Sequence, residues 1–174
     1  MQTTIQSKSN SEKDFEKCLS FLKNIGIETR FVNIKEPTFL PGLSIESGII
    51  LIDLQLLKYP GDILHEAGHI AVVPFADRSL LSATTIGSRD HHQSEEMMAI
   101  AWSYAVCIHL EIDPYFVFHD EGYKGGGSYI ADNFKNGGYI GLPMLQWKGM
   151  AADNKNAAIL NVKPYPHMLK WALD

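Results

Sequence analysis

The chain has 174 residues, enough for one domain with its own buried core, and 45% apolar with 20% charged residues is the composition of a soluble globular protein. A net charge of −5 without a basic cluster argues against a nucleic-acid surface. The longest apolar stretch, 97–110, includes Ser103 and His109 and is too short to span a bilayer. Residues 1–10, MQTTIQSKSN, form a polar tail without the apolar segment of a signal peptide, so the expected location is the cytoplasm. Cys18 and Cys107 both fall on apolar helix faces, which favours free buried thiols over a disulfide.

In chain order, Ser11 with Asp14 three residues later marks a helix start. Phe15, Cys18, Leu19, Leu22 and Ile25 make its apolar stripe, and Gly26 ends it. Residues 27–34 alternate as a strand. Turns follow at Glu36-Pro37 and Pro41-Gly42, and Leu43 to Ile45 with Ile49 to Leu54 form a β-hairpin around Glu46-Ser47-Gly48. The next helix runs from near Pro60 to Val73, with Asp62 favouring its dipole and Pro74 stopping it.

Phe75 to Gln93 has no clean period and is expected to be a loop shaping one wall of a cleft. A second long helix begins near Ser94, or at Asp90, which has capping-box spacing to Gln93, and runs to about Glu111. It is apolar nearly all round and should be buried. Asp113 caps a short helix at Pro114. The glycine-rich last third holds short helices at 128–136 and 142–148, and Pro164-Tyr165-Pro166-His167 with Trp171 should pack back on the body. The expected fold is α+β: a single domain over 1–174, with a small sheet packed on the first of the two long helices and that helix against the buried second.

That first long helix carries His65-Glu66-Ala67-Gly68-His69, an HExxH run. On a helix, two imidazoles four residues apart share a face and can converge on one ion, while Glu66 is offset to take a proton from water. A catalytic zinc site usually has three protein ligands. Glu95 and Glu96, at the start of the second helix, are the acidic candidates for the third. Glu96 is chosen because Ala99, Ser103 and Cys107 follow it in a lane of small side chains that lets the helices approach, whereas Glu95 leads to Met98 and Trp102. His92, one turn before Glu96, is an alternative ligand or a supporting partner. His119 and Tyr123 are candidate oxyanion donors, and Asp53 or Asp62 could orient a ligand histidine. The Gly122 to Gly127 run lacks the Gly-Lys-Ser/Thr end of a phosphate loop, and no elbow motif supports a serine nucleophile.

HEAGH followed by Glu96-x-x-Ala99 resembles the gluzincin branch of zinc metallopeptidases. The small size and the sheet before the motif are also similar to the minimal metallopeptidase domains of the ImmA/IrrE type. The resemblance covers residues 48–110, and no clear counterpart of the family's substrate-binding edge strand is found in the sequence. It implies a zincin-like fold, Zn2+ held by His65, His69 and Glu96, Glu66 as general base, and hydrolysis of a peptide or amide bond in a peptide or protein substrate. The alternatives are a catalytically silent, zincin-like metal-binding domain with a regulatory or interaction role, and a metal-free structural domain.

Overall fold

The computed structural model describes residues 9–174. It is mixed α+β. Helix α1 (Asn10–Asn24) starts one residue before Ser11, with its cap two residues before it. Ser9 is the cap: its hydroxyl accepts from Glu12 N–H at 3.2 Å, and Glu12 accepts from Ser9 N–H at 2.7 Å. The longer Glu12 side chain can reach back to the backbone where Asp14 would fall short, so the capping box forms two residues earlier. Of the expected polar tail, residue 9 therefore caps the helix and residue 10 opens it, and residues 1–8 lie outside the described residues.

Strands β1 (Thr29–Phe31), β2 (Leu43–Glu46) and β3 (Ile49–Ile52) form one sheet in the order β1-β3-β2. β2 and β3 are the expected hairpin, and β1 pairs parallel to β3. β1 is shorter than the alternation over 27–34 suggested, and Asp53 is the reason. Its carboxylate accepts from Ile34 N–H at 2.8 Å and from Gln55 N–H at 2.9 Å, taking the chain out of the ladder at both places. These bonds, the one from Ile34 foremost, hold its pKa below the usual carboxylate range. Asp53 is thus a structural cap and does not orient a ligand histidine.

On the inner face of the sheet Leu43, Ile45, Ile50 and Ile52 are buried. They pack toward α2 (Asp62–Ala71), which is a residue or two shorter at each end than Pro60 to Val73 because Pro60 and Gly61 form the turn before it. α3 (His92–Leu110) crosses α2 closely. A Cβ on Gly68 would stand 2.9 Å from the Ala99 backbone, and Ser103 Oγ donates across the helices to Leu64 O at 3.1 Å while also meeting Ala99 O at 2.7 Å. Asp90 does not cap α3, whose N-cap position is His91 with no side-chain bond.

Between the two helices, 3-10 turns at Phe75–Leu80 and Ile86–Ser88 replace the featureless loop expected there. A 3-10 turn at Pro114–Phe116 has Asp113 as its cap. α4 (Gly127–Lys135) and α5 (Leu142–Trp147) match the expected short helices. α6 (Asn154–Leu160), capped by Asp153, has no counterpart in the sequence reading. The tail packs on the body: Tyr165 Oη donates to Ala101 O at 2.8 Å, and Trp102 Nε1 donates to Trp171 O at 2.8 Å. Cys18 and Cys107 are free and buried, and burial pushes the Cys18 thiol up to about 12. Among the described residues no helix is long and apolar enough to cross a membrane.

Candidate metal centre

Helix α2 presents His65 and His69 one turn apart with their Nε2 atoms 3.1 Å from each other. α3 brings Glu96 against both, with His69 Nε2 3.2 Å from Oε2 and His65 Nε2 3.5 Å from Oε1. Donors about 2.0–2.1 Å from one tetrahedral ion lie about 3.3–3.4 Å apart, so these spacings match the edges of a zinc cage. Among the described residues these three make the one His, Cys, Asp or Glu group able to hold a metal ion. Two imidazoles and a carboxylate are also the nitrogen and oxygen donors that zinc accepts.

The other two ligand candidates are engaged elsewhere. Glu95 is buried and takes a two-pronged contact from Arg89, with Nε at 2.8 Å and Nη2 at 3.0 Å. His92 is exposed, with Nδ1 3.0 Å from Arg89 O, and stays outside the cluster. Arg89 escaped the sequence reading; an arginine six residues before a buried acid is not a helical spacing, and it meets Glu95 only because the chain turns before α3.

Local electrostatics divide the four groups. Burial pulls His65 down to about 4, with the neighbouring His69 adding to the effect and Glu96 opposing it. Burial also depresses His69, but the bond to Glu96 and the charges of Glu66, Glu96 and Glu95 outweigh it and raise that ring. For Glu96, burial pushes upward, yet the His69 bond and the charges of His65, His69 and His92 win, leaving it lowered. Burial drives Glu66 up to about 7, with Asp62 and Glu96 contributing.

Glu66 and the three clustered side chains open onto a cleft of about 920 Å3. Leu43 and Ser44 of β2, Ala83, Ile86 and Gly87, and the segment 32–40 also line it. The wall near Ile86 is where the sequence placed it; the 32–40 wall was missed, its one signal being an apolar residue, Phe39, in a proline-bounded turn, where it is 98% exposed. β2 is an edge strand. Ala83 N–H bonds Ile45 O at 2.9 Å at one end of that edge, while the Leu43–Ser44 end faces the cleft.

Neither expected oxyanion donor lines the cleft. Tyr123 Oη lies 3.2 Å from His65 Nδ1, behind that ring. His119 Nδ1 accepts from Gly122 N–H at 3.1 Å, which leaves its proton on Nε2, 2.8 Å from Asp62 Oδ1. Its ring also stacks on Tyr59 at 4.1 Å. Asp62 therefore holds His119 and not a clustered histidine, at a separation of 57 residues that no local pattern announces.

No protein-family model, no curated protein and no solved structure matches the chain.

Proposed function

We propose that the protein is a zincin-like, zinc-dependent peptidase that hydrolyses a peptide or amide bond. One observation carries this reading: two histidines and a glutamate from neighbouring helices converge within zinc-cage spacing in the lining of a cleft, beside the Glu66 carboxylate. When bound, zinc supplies Lewis acidity that acidifies water and polarises a carbonyl.

Glu66 is the proton carrier. Its carboxylate, pushed up to about 7, is poised to accept a proton at neutral pH and to return it to the departing amine nitrogen. The Leu43–Ser44 end of β2 borders the cleft and gives an extended peptide backbone a strand to lie beside, and the segments 32–40 and 83–87 flank its side chains. Peptide or protein substrates fit such a cleft better than a nucleic acid does, given the chain's −5 charge.

A second reading is favoured by the placement of His119 and Tyr123, both turned away from the cleft. Without an oxyanion donor the same centre would serve a metal-binding regulatory or interaction domain that performs no turnover. The test is Glu66→Gln. Zinc-loaded protein is incubated with a broad peptide library and products are read by mass spectrometry. The peptidase reading expects Glu66→Gln to keep one zinc per chain and lose at least about 100-fold in hydrolysis. Full activity in Glu66→Gln would contradict the assigned base, and no cleavage by the unmodified zinc protein would favour the silent domain.

A further inference from the structure

The two clustered histidines are supported unequally. His69 Nδ1 is buried without a hydrogen-bond partner among the described residues, whereas His65 Nδ1 faces Tyr123 Oη at 3.2 Å. We propose that Tyr123 is a positioning residue for the centre, its hydroxyl accepting from His65 Nδ1–H and so fixing the tautomer whose bare Nε2 faces His69 and Glu96. This rests on the reading of the cluster as a zinc site.

The proton positions follow from the contacts. A proton on His69 Nδ1 would have no acceptor, while one on His69 Nε2 has two, Glu96 Oε2 at 3.2 Å and His65 Nε2 at 3.1 Å. His65 Nε2 is then an acceptor, and the His65 proton resides on Nδ1, toward Tyr123. The rings of His65 and Tyr123 meet edge to face, 87° apart, with centroids 5.5 Å from each other, so the tyrosine also blocks rotation of the imidazole.

The backbone points the same way. Tyr123 and Lys124 take φ of 52° and 55°, two consecutive non-glycine residues in the left-handed region. An aromatic residue rarely adopts that conformation, and such strain persists where the surroundings enforce it, commonly at functional sites. Here the enforcement is visible. Gly126 N–H bonds Tyr123 O at 3.0 Å, and His119 ties the same loop to Asp62 at 2.8 Å, on the helix turn just before His65. A Cβ on Gly127 would collide with the His119 carbonyl, so the loop can close only with glycine there. Loop and histidine are thereby clamped to one helix.

Ligand-orienting partners of this kind are worth about 10- to 100-fold in metal affinity. Long-range proton–nitrogen NMR of the metal-free, histidine-labelled protein reads each ring's tautomer, and competition with a chromophoric chelator gives the zinc affinity. The expectation is a His65 proton on Nδ1 in the unmodified protein. Tyr123→Phe should scramble that tautomer and lower zinc affinity about 10- to 100-fold, with little change in the thermal unfolding of the metal-free chain. A His65 proton on Nε2 in the unmodified protein, or unchanged zinc affinity in Tyr123→Phe, would overturn the proposal. If Tyr123→Phe does not fold, the tautomer of the unmodified protein decides; no zinc uptake by the unmodified protein would overturn the zinc reading and the proposal with it, whereas zinc uptake with unchanged affinity in Tyr123→Phe overturns the proposal alone.

Discussion

Glu66 and Glu96 are carboxylates of one site, and their surroundings drive them in opposite directions. Glu96 touches both imidazoles and is held ionised, whereas Glu66 has burial and two acidic neighbours against it and is pushed up to about 7. One is suited to hold a cation and the other to move a proton. The histidines divide too. His65, pulled down to about 4, is already neutral at pH 7, while His69 is raised by its bond to Glu96 and its acidic neighbours. A metal competes with the His69 proton, and an approaching cation also draws one from Glu66. Zinc affinity should therefore rise with pH through the neutral range and level off once His69 has lost its proton. Calorimetry in buffers of different ionisation enthalpy checks this: net proton release is expected on zinc binding near pH 7, and proton-neutral binding from pH 6 to 8 would contradict it.

The His65, His69 and Glu96 cluster exists because α2 and α3 touch backbone to backbone. The contact is made by Gly68 on Ala99, with the Ser103 hydroxyl bridging to the Leu64 carbonyl. Gly68→Ala would gain about 1 kcal/mol in helix propensity but meet the Ala99 backbone, at an overpacking cost of about 1 to 3 kcal/mol. Metal-free stability should change by less than about 2 kcal/mol. Zinc affinity should fall at least about tenfold, because the helices must part and the donors with them. Unchanged affinity, measured by chelator competition, would show that the close contact is not needed. That contact was legible in the sequence: HExxH, the Ala99, Ser103 and Cys107 lane, and the choice of Glu96 over Glu95 are all statements about helical spacing, which a sequence displays directly. Capping was less legible, since Ser9 with Glu12 competes with Ser11, and Asp90 offered a cap that α3 does not use. The end of β1 was hidden as well, because it is set by Asp53, a side chain 19 residues beyond its backbone partner Ile34.

Across the whole molecule, the cleft is assembled from pieces far apart in the chain. The segment 32–40, the end of β2, the turn at 83–87 and the two helices each supply part of its lining. None of these juxtapositions has a local period, which is why helical spacing pointed to the three residues that cluster and not to the contacts of the groups packed around them. His119 and Tyr123, the candidate oxyanion donors, lie outside the cleft lining, against Asp62 and His65. The same long-range folding removes Glu95 from contention by giving it Arg89. Convergence of α2 and α3 on one cation is the claim on which the functional account stands. Elemental analysis of zinc per chain, after loading and exhaustive desalting, tests it in the unmodified protein, Glu96→Ala and Glu95→Ala together. The account predicts one zinc in the unmodified protein, loss of it in Glu96→Ala, and retention in a less stable Glu95→Ala; no zinc in the unmodified chain, or equal retention in Glu96→Ala, would contradict it.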